Sequence, residues 1–164
     1  MTLGVHFALT EEEVRELESR NEGNRLDYVK QGLEELFFET RQEDLVETGK
    51  AWDAIHRCLT DGNLDGASPT PLAIVVLGGR SMYSGDNYLM TLKRAAEVRA
   101  AAPLLGRVTK SSLRAAYDQL DEYDYDGQLG DHDFEYTWAN FVELRAFWQR
   151  AAEKGLSVLF TAVQ

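Results

Sequence analysis

The segment Ser157–Val163, SVLFTAV, is apolar on both of its sides. Val158, Phe160 and Ala162 alternate with Leu159, Thr161 and Val163. A period of two marks a strand, and apolar residues on both sides suit a central or covered one. The chain therefore needs a sheet. At the other end, Gly4–Leu9 alternates too, with Val5, Phe7 and Leu9 on one side and His6 and Ala8 on the other. That pattern predicts a half-buried strand that pairs with the last one. His6 falls on the side opposite Phe7 and is expected at a cleft rim or in solvent.

Between these ends the spacing is mostly helical. Thr10 with Glu13 three residues later is a capping-box signature for a helix through about Arg20. Leu26, Val29, Leu33, Leu36 and Phe37 predict a second helix over about Arg25–Glu39. Gln42–Thr48 reads as an acidic connection. Trp52, Ile55, His56 and Leu59 fall at i, i+3, i+4 and i+7, one stripe of a central helix stopped by Gly62. Asp53 and Arg57, four apart on its flank, are placed to pair.

Leu72–Leu77 is apolar throughout and fits a short buried helix or a buried strand. The Thr70-Pro71 start favours helix, whereas Val75-Val76 favours strand. Arg80–Asn87 reads as a loop. A helix carrying Leu92, Ala95, Ala96 and Val98 is expected to end before Pro103. Thr109 or Ser111 caps another, with Leu113, Ala116, Tyr117 and Leu120 inward. The acidic stretch around Gly127 and Gly130 reads as a loop, and a long helix over about Tyr136–Lys154 ends at Gly155. The expectation is an α+β single domain over residues 1–164, mostly helical, packed on a small sheet that includes the N- and C-terminal strands.

Charge narrows the partners. The formal net charge of the 164 residues is −11, which repels nucleic-acid phosphates and anionic lipid head groups and suits a basic protein partner. Neither nucleic acid nor a membrane is expected as a partner. The single cysteine, Cys58, excludes a disulfide framework or a cysteine-based zinc site within the chain. The start MTLGVHFALTEEE lacks signal-peptide character, and no apolar run spans a bilayer, so a cytoplasmic location is expected.

Four constellations could carry function. His56, with Asp53 three residues before it and Trp52 four, could be a general base held at a pocket wall, or a core histidine bonded to backbone. Asp131, His132, Asp133 and Glu135 supply oxygen and nitrogen donors but lack the spacing of a calcium loop. They are weak metal candidates, and no metal or other cofactor is expected. Cys58 reads as a small buried residue. The tyrosines at 117, 123, 125 and 136, interleaved with carboxylates, have the make-up of a recognition surface, to which Trp52, His56, Tyr83 and Tyr88 are added as binding candidates.

Read in order, GVHFALT, KAWDAIHRCLTDG, PLAIVVLGG, Tyr88-Leu89, Leu113–Tyr117 and FWQRAAEKGLSVLF make the chain similar to the YfbM-like DUF1877 family of bacterial proteins of unknown function. The resemblance covers nearly the whole chain and implies one cytoplasmic α+β domain with no established activity. Arg57-Cys58, where two apolar residues are expected, and the acidic Asp121–Asp133 stretch depart from it. The resulting expectation is a non-enzymatic protein-binding or regulatory module whose acidic, tyrosine-rich loop meets its partner beside the central helix. An immunity-like neutraliser of a basic toxin is one form of it. The alternative is a small enzyme with His56 as general base, in a pocket between the central helix and the Gly79–Asn87 loop.

Overall fold

The computed structural model describes residues 3–164. Its centre is the covered strand anticipated above, β5 (Ser157–Val163), which lies between β1 (Gly4–Leu9) and β4 (Tyr88–Lys93). With β2 (Leu45–Gly49) and β3 (Arg80–Tyr83) at the edges, the sheet runs β2-β1-β5-β4-β3. All four pairings are antiparallel, with Phe7 and Leu92 both opposite Leu159. The two terminal strands are thus neighbours in one sheet.

Each face of the sheet packs on helices, which is why β5 is apolar on both sides. Phe7, Leu9, Met90, Leu92 and Leu159 pack against α1 (Glu11–Ser19) and the helical run Glu22–Thr40 through Val14, Leu17, Val29, Leu33 and Phe37. That run is α2 (Glu22–Asp27), one wide π turn (Tyr28–Leu33) and α3 (Glu34–Thr40), where a single helix is expected from Arg25. Thr10 caps α1 with the full reciprocal capping box.

The opposite face meets α4 (Ala51–Leu59), α5 (Ala95–Gly106), α6 (Lys110–Tyr117) and α7 (Asp131–Lys154). Among the described residues no helix is long and apolar enough to cross a membrane.

The differences from the expected elements have local causes. The supposed acidic connection ends in β2, an edge strand that pairs with β1. The supposed loop and helix start at Arg80–Lys93 form the β3–β4 hairpin. Pro103 lies inside α5 rather than after it. Its ring is exposed, so the carbonyl four residues earlier can turn to water. Pro71–Val75 is a short 3-10 turn, neither α-helix nor strand.

The largest correction concerns polar groups in the core. On the α4 side of the sheet, His6, Thr91 and Lys93 are all buried, and His6 and Lys93 show no exposed surface. His6 reaches Thr48 Oγ1 at 3.2 Å and packs on Phe160, ring centres 4.8 Å apart. It is therefore neither in solvent nor at a rim. Lys93 donates to the Val76 carbonyl, to Thr91 Oγ1 and to the Thr91 carbonyl at 3.3 Å. Three acceptors match the three protons of an ammonium, yet burial holds this amine well below the ordinary lysine range.

Candidate functional site

The first turn of α4, the first turn of α7 and the loop between α6 and α7 enclose a pocket of about 780 Å³. Acidic residues suit this place because both helices aim their N-terminal dipole ends at it: Asp53 lies in the first turn of α4, Asp131 and Asp133 in that of α7. The acidic residues from 131 onward are thus helical, where a loop was expected up to about Tyr136. Asp126 adds a fourth carboxylate, and Lys50 is the one Lys or Arg among the lining residues. Trp52, Tyr125 and Tyr136 supply the rings.

Three polar clusters fix the walls. Asp133 Oδ2 accepts from the Tyr117 hydroxyl at 2.6 Å and the Tyr125 hydroxyl at 2.9 Å, tying α6 and the loop to α7. Burial, then the bond to this carboxylate, pushes both phenols well above their usual range, so both stay donors. Arg57 is 5% exposed and bonds Asp53 at 2.6 Å, Asp124 Oδ2 at 2.5 Å and the Gly62 and Asp124 carbonyls at 3.2 Å. Tyr136 takes a hydrogen bond from the Lys50 amide at 3.3 Å. It comes so near Gly49, at φ +53°, that a Cβ there would lie 2.5 Å from its oxygen, so only glycine suits that turn.

The structure thus brings together Trp52, Asp53, Tyr125, Asp131, His132, Asp133 and Tyr136 from two distant segments. Tyr123 is 92% exposed on the same loop but does not line the pocket. Tyr83 and Tyr88 belong to the core on the other side of the sheet, packed edge to face 6.2 Å apart. His56 lies off the pocket: it is fully buried, and its Nε2 donates to the Asp65 carbonyl at 2.9 Å. Burial lowers its pKa, so the imidazole is neutral near pH 7.

Burial also pushes the Cys58 thiol up to about 12, which leaves it unreactive at neutral pH. Among the described residues no three His, Cys, Asp or Glu side chains are grouped to hold a metal ion. Asp131, one weak metal candidate, instead pairs with Arg114 at 2.9 Å. Sequence reasoning missed Asp124 and Asp126. The Asp53–Arg57 spacing was a signal for the ion pair, but nothing local indicated its partner 67 residues on.

The model of a domain of unknown function, DUF1877, matches residues 1–161. The chain belongs to the DUF1877 family. This DUF1877 chain is also similar to the crystal structure of YfbM, a protein of unknown function from Escherichia coli, with a TM-score of 0.72 and 21% identity over 99% of each chain. At that identity the likeness shows the fold. No curated protein matches the DUF1877 chain.

Asp133 gives the first test of the pocket's construction. Asp133→Ala leaves the buried Tyr125 hydroxyl without its acceptor, at about 1–3 kcal/mol, while the Tyr117 hydroxyl keeps the Gly130 carbonyl at 3.4 Å. The expected result is a loss of about 1–3 kcal/mol in urea unfolding, whereas an unchanged midpoint would show that the Asp133 clamp contributes nothing.

Proposed function

We propose that this protein is a non-enzymatic binding module and that the pocket between α4 and α7 receives a lysine or arginine side chain from a basic protein. The observation that carries this reading is the lining itself: four carboxylates and three aromatic rings with Lys50 as the one cationic lining residue, while Arg57 pairs with Asp53 and Arg114 with Asp131 from outside the lining. Carboxylates supply charge-assisted hydrogen bonds to an ammonium or guanidinium, and ring faces add cation–π attraction. Lys50, Arg57 and Arg114 together offset three of the four lining carboxylates, so a net negative charge remains. The net charge of −11 extends the same field over the surface and speeds encounter with a basic partner. An immunity-like role against a basic toxin is one biological form of such binding, by analogy alone.

The catalytic alternative, with His56 as general base, gains no support from this pocket, because the imidazole does not line it. Fluorescence anisotropy with labelled oligo-arginine and oligo-glutamate peptides tests the binding reading. The arginine peptide should bind at low salt, weaken steeply as salt rises and compete with unlabelled polylysine. Equal binding of both peptides, or of neither, contradicts it.

A further inference from the structure

The exposed segment that follows α4 lies over His56. Asn63, Leu64, Asp65, Gly66 and Ala67 are all exposed, although the imidazole they cover is fully buried. The hydrogen bonds this segment makes for itself are local. The Ala67 amide donates to Asp65 Oδ1 at 2.8 Å, and the Ser68 and Thr70 hydroxyls share a bond of 2.7 Å. Among the described residues, no backbone–backbone hydrogen bond joins residues 63–69 to any other part of the chain. The polar tie from this segment to the body is the bond from His56 Nε2 to the Asp65 carbonyl.

Apolar anchoring is equally thin here. Leu64 is 39% exposed, whereas the residues after it that do bury, Ala73, Val75 and Val76, belong to the next turn. Gly66 also fits closely against the body. A Cβ at that position would lie 2.8 Å from the Leu77 carbonyl oxygen, a backbone atom that cannot swing aside.

We infer that residues 63–69 form a flap that opens on the folded protein and exposes the His56 imidazole. Among the described residues, its polar tie to the body is one side-chain hydrogen bond, and exposed segments so thinly tied open locally without global unfolding. In the closed state the Asp65 carbonyl occupies the Nε2 proton. In the open state that proton, and the ring that carries it, meet solvent. This device is separate from the acidic pocket and does not rest on it.

Diethyl pyrocarbonate labelling of the intact protein, read per histidine by peptide mass spectrometry, tests the inference. The three histidines are internal references: His132 is exposed, and His6 is fully buried inside the sheet's core. The expected order of rates is His132, then His56, then His6. Gly66→Val should push the flap from Leu77 and raise the His56 rate about fivefold or more, the factor that loss of one ordinary hydrogen bond gives. The His6 rate and the thermal midpoint should stay unchanged. If His56 reacts no faster than His6 in both proteins, there is no flap. Should Gly66→Val disrupt folding, the wild-type order of His56 and His6 decides alone.

Discussion

Arg57→Ala lowers the stability of this protein by about 1.5–3 kcal/mol, the range for hydrogen bonds to charged groups. The guanidinium is 5% exposed and lies between Asp53, 24% exposed, and Asp124, 59% exposed. Removing it strands the more buried carboxylate and frees two backbone carbonyls, those of Gly62 and Asp124. Asp124 can turn to water, so its share of the loss is small. The Asp53→Ala, Arg57→Ala double variant should therefore recover part of the loss, because no unpaired carboxylate remains at position 53. Urea unfolding followed by circular dichroism measures both. A loss of less than about 1 kcal/mol for Arg57→Ala would place this pair with ordinary surface bridges.

Lys93→Met flattens the dependence of stability on pH. An unfolded lysine titrates near about 10.4, and burial holds Lys93 in the folded protein well below the usual lysine value. Between those two values the unfolded chain takes up a proton that the folded protein refuses. Wild-type stability therefore falls as pH drops from about 10.4 toward the folded value, at up to about 1.4 kcal/mol per pH unit, and levels off below it. Methionine at 93 removes that slope.

The charged and titratable groups coupled to Lys93 are Glu97, which raises its pKa, and His6 and His56, whose pKa values it lowers. Both imidazoles also have lowered values, chiefly from burial, so a second loss begins as pH falls below about 6.5. This second fall persists in Lys93→Met. The variant should consequently gain on the wild type as pH falls from alkaline toward neutral. Parallel stability curves for the two proteins would mean that Lys93 keeps its proton in the fold, held by its three oxygen acceptors.

The same lysine explains why part of the sheet was illegible. YLMTLK does not read as a strand covered on both faces when Thr91 and Lys93 are taken as solvent-facing, and its last residues look like the start of the next helix. The buried side chains of β4 are Tyr88, Met90 and Leu92 on one face and Thr91 and Lys93 on the other. β2 was hidden for a different reason: LVETG is short, and as an edge strand it shows little apolar alternation.

Features fixed by local chemistry were readable: the Thr10–Glu13 capping box, the Trp52–Leu59 stripe, the αL glycine at Gly155 and the two-sided β5. The candidate site was readable in its parts. Both walls, the start of the central helix and the acidic tyrosine-rich stretch, stand out in the sequence. Their junction through Arg57 and Asp124 depends on tertiary contact, and so does the exclusion of His56 from the pocket. Periodicity places His56 on an inward stripe but cannot say that the Asp65 carbonyl closes over it.

The most direct test of the acidic pocket is amide and indole NMR of the labelled protein titrated with a short arginine-rich peptide. The proposed binding module should show shifts concentrated at residues 50–53 and 125–136, the segments that line the pocket, and leave the face formed by α1 to α3 unchanged. Shifts confined to other surfaces, or none at peptide concentrations that saturate anisotropy, would contradict it.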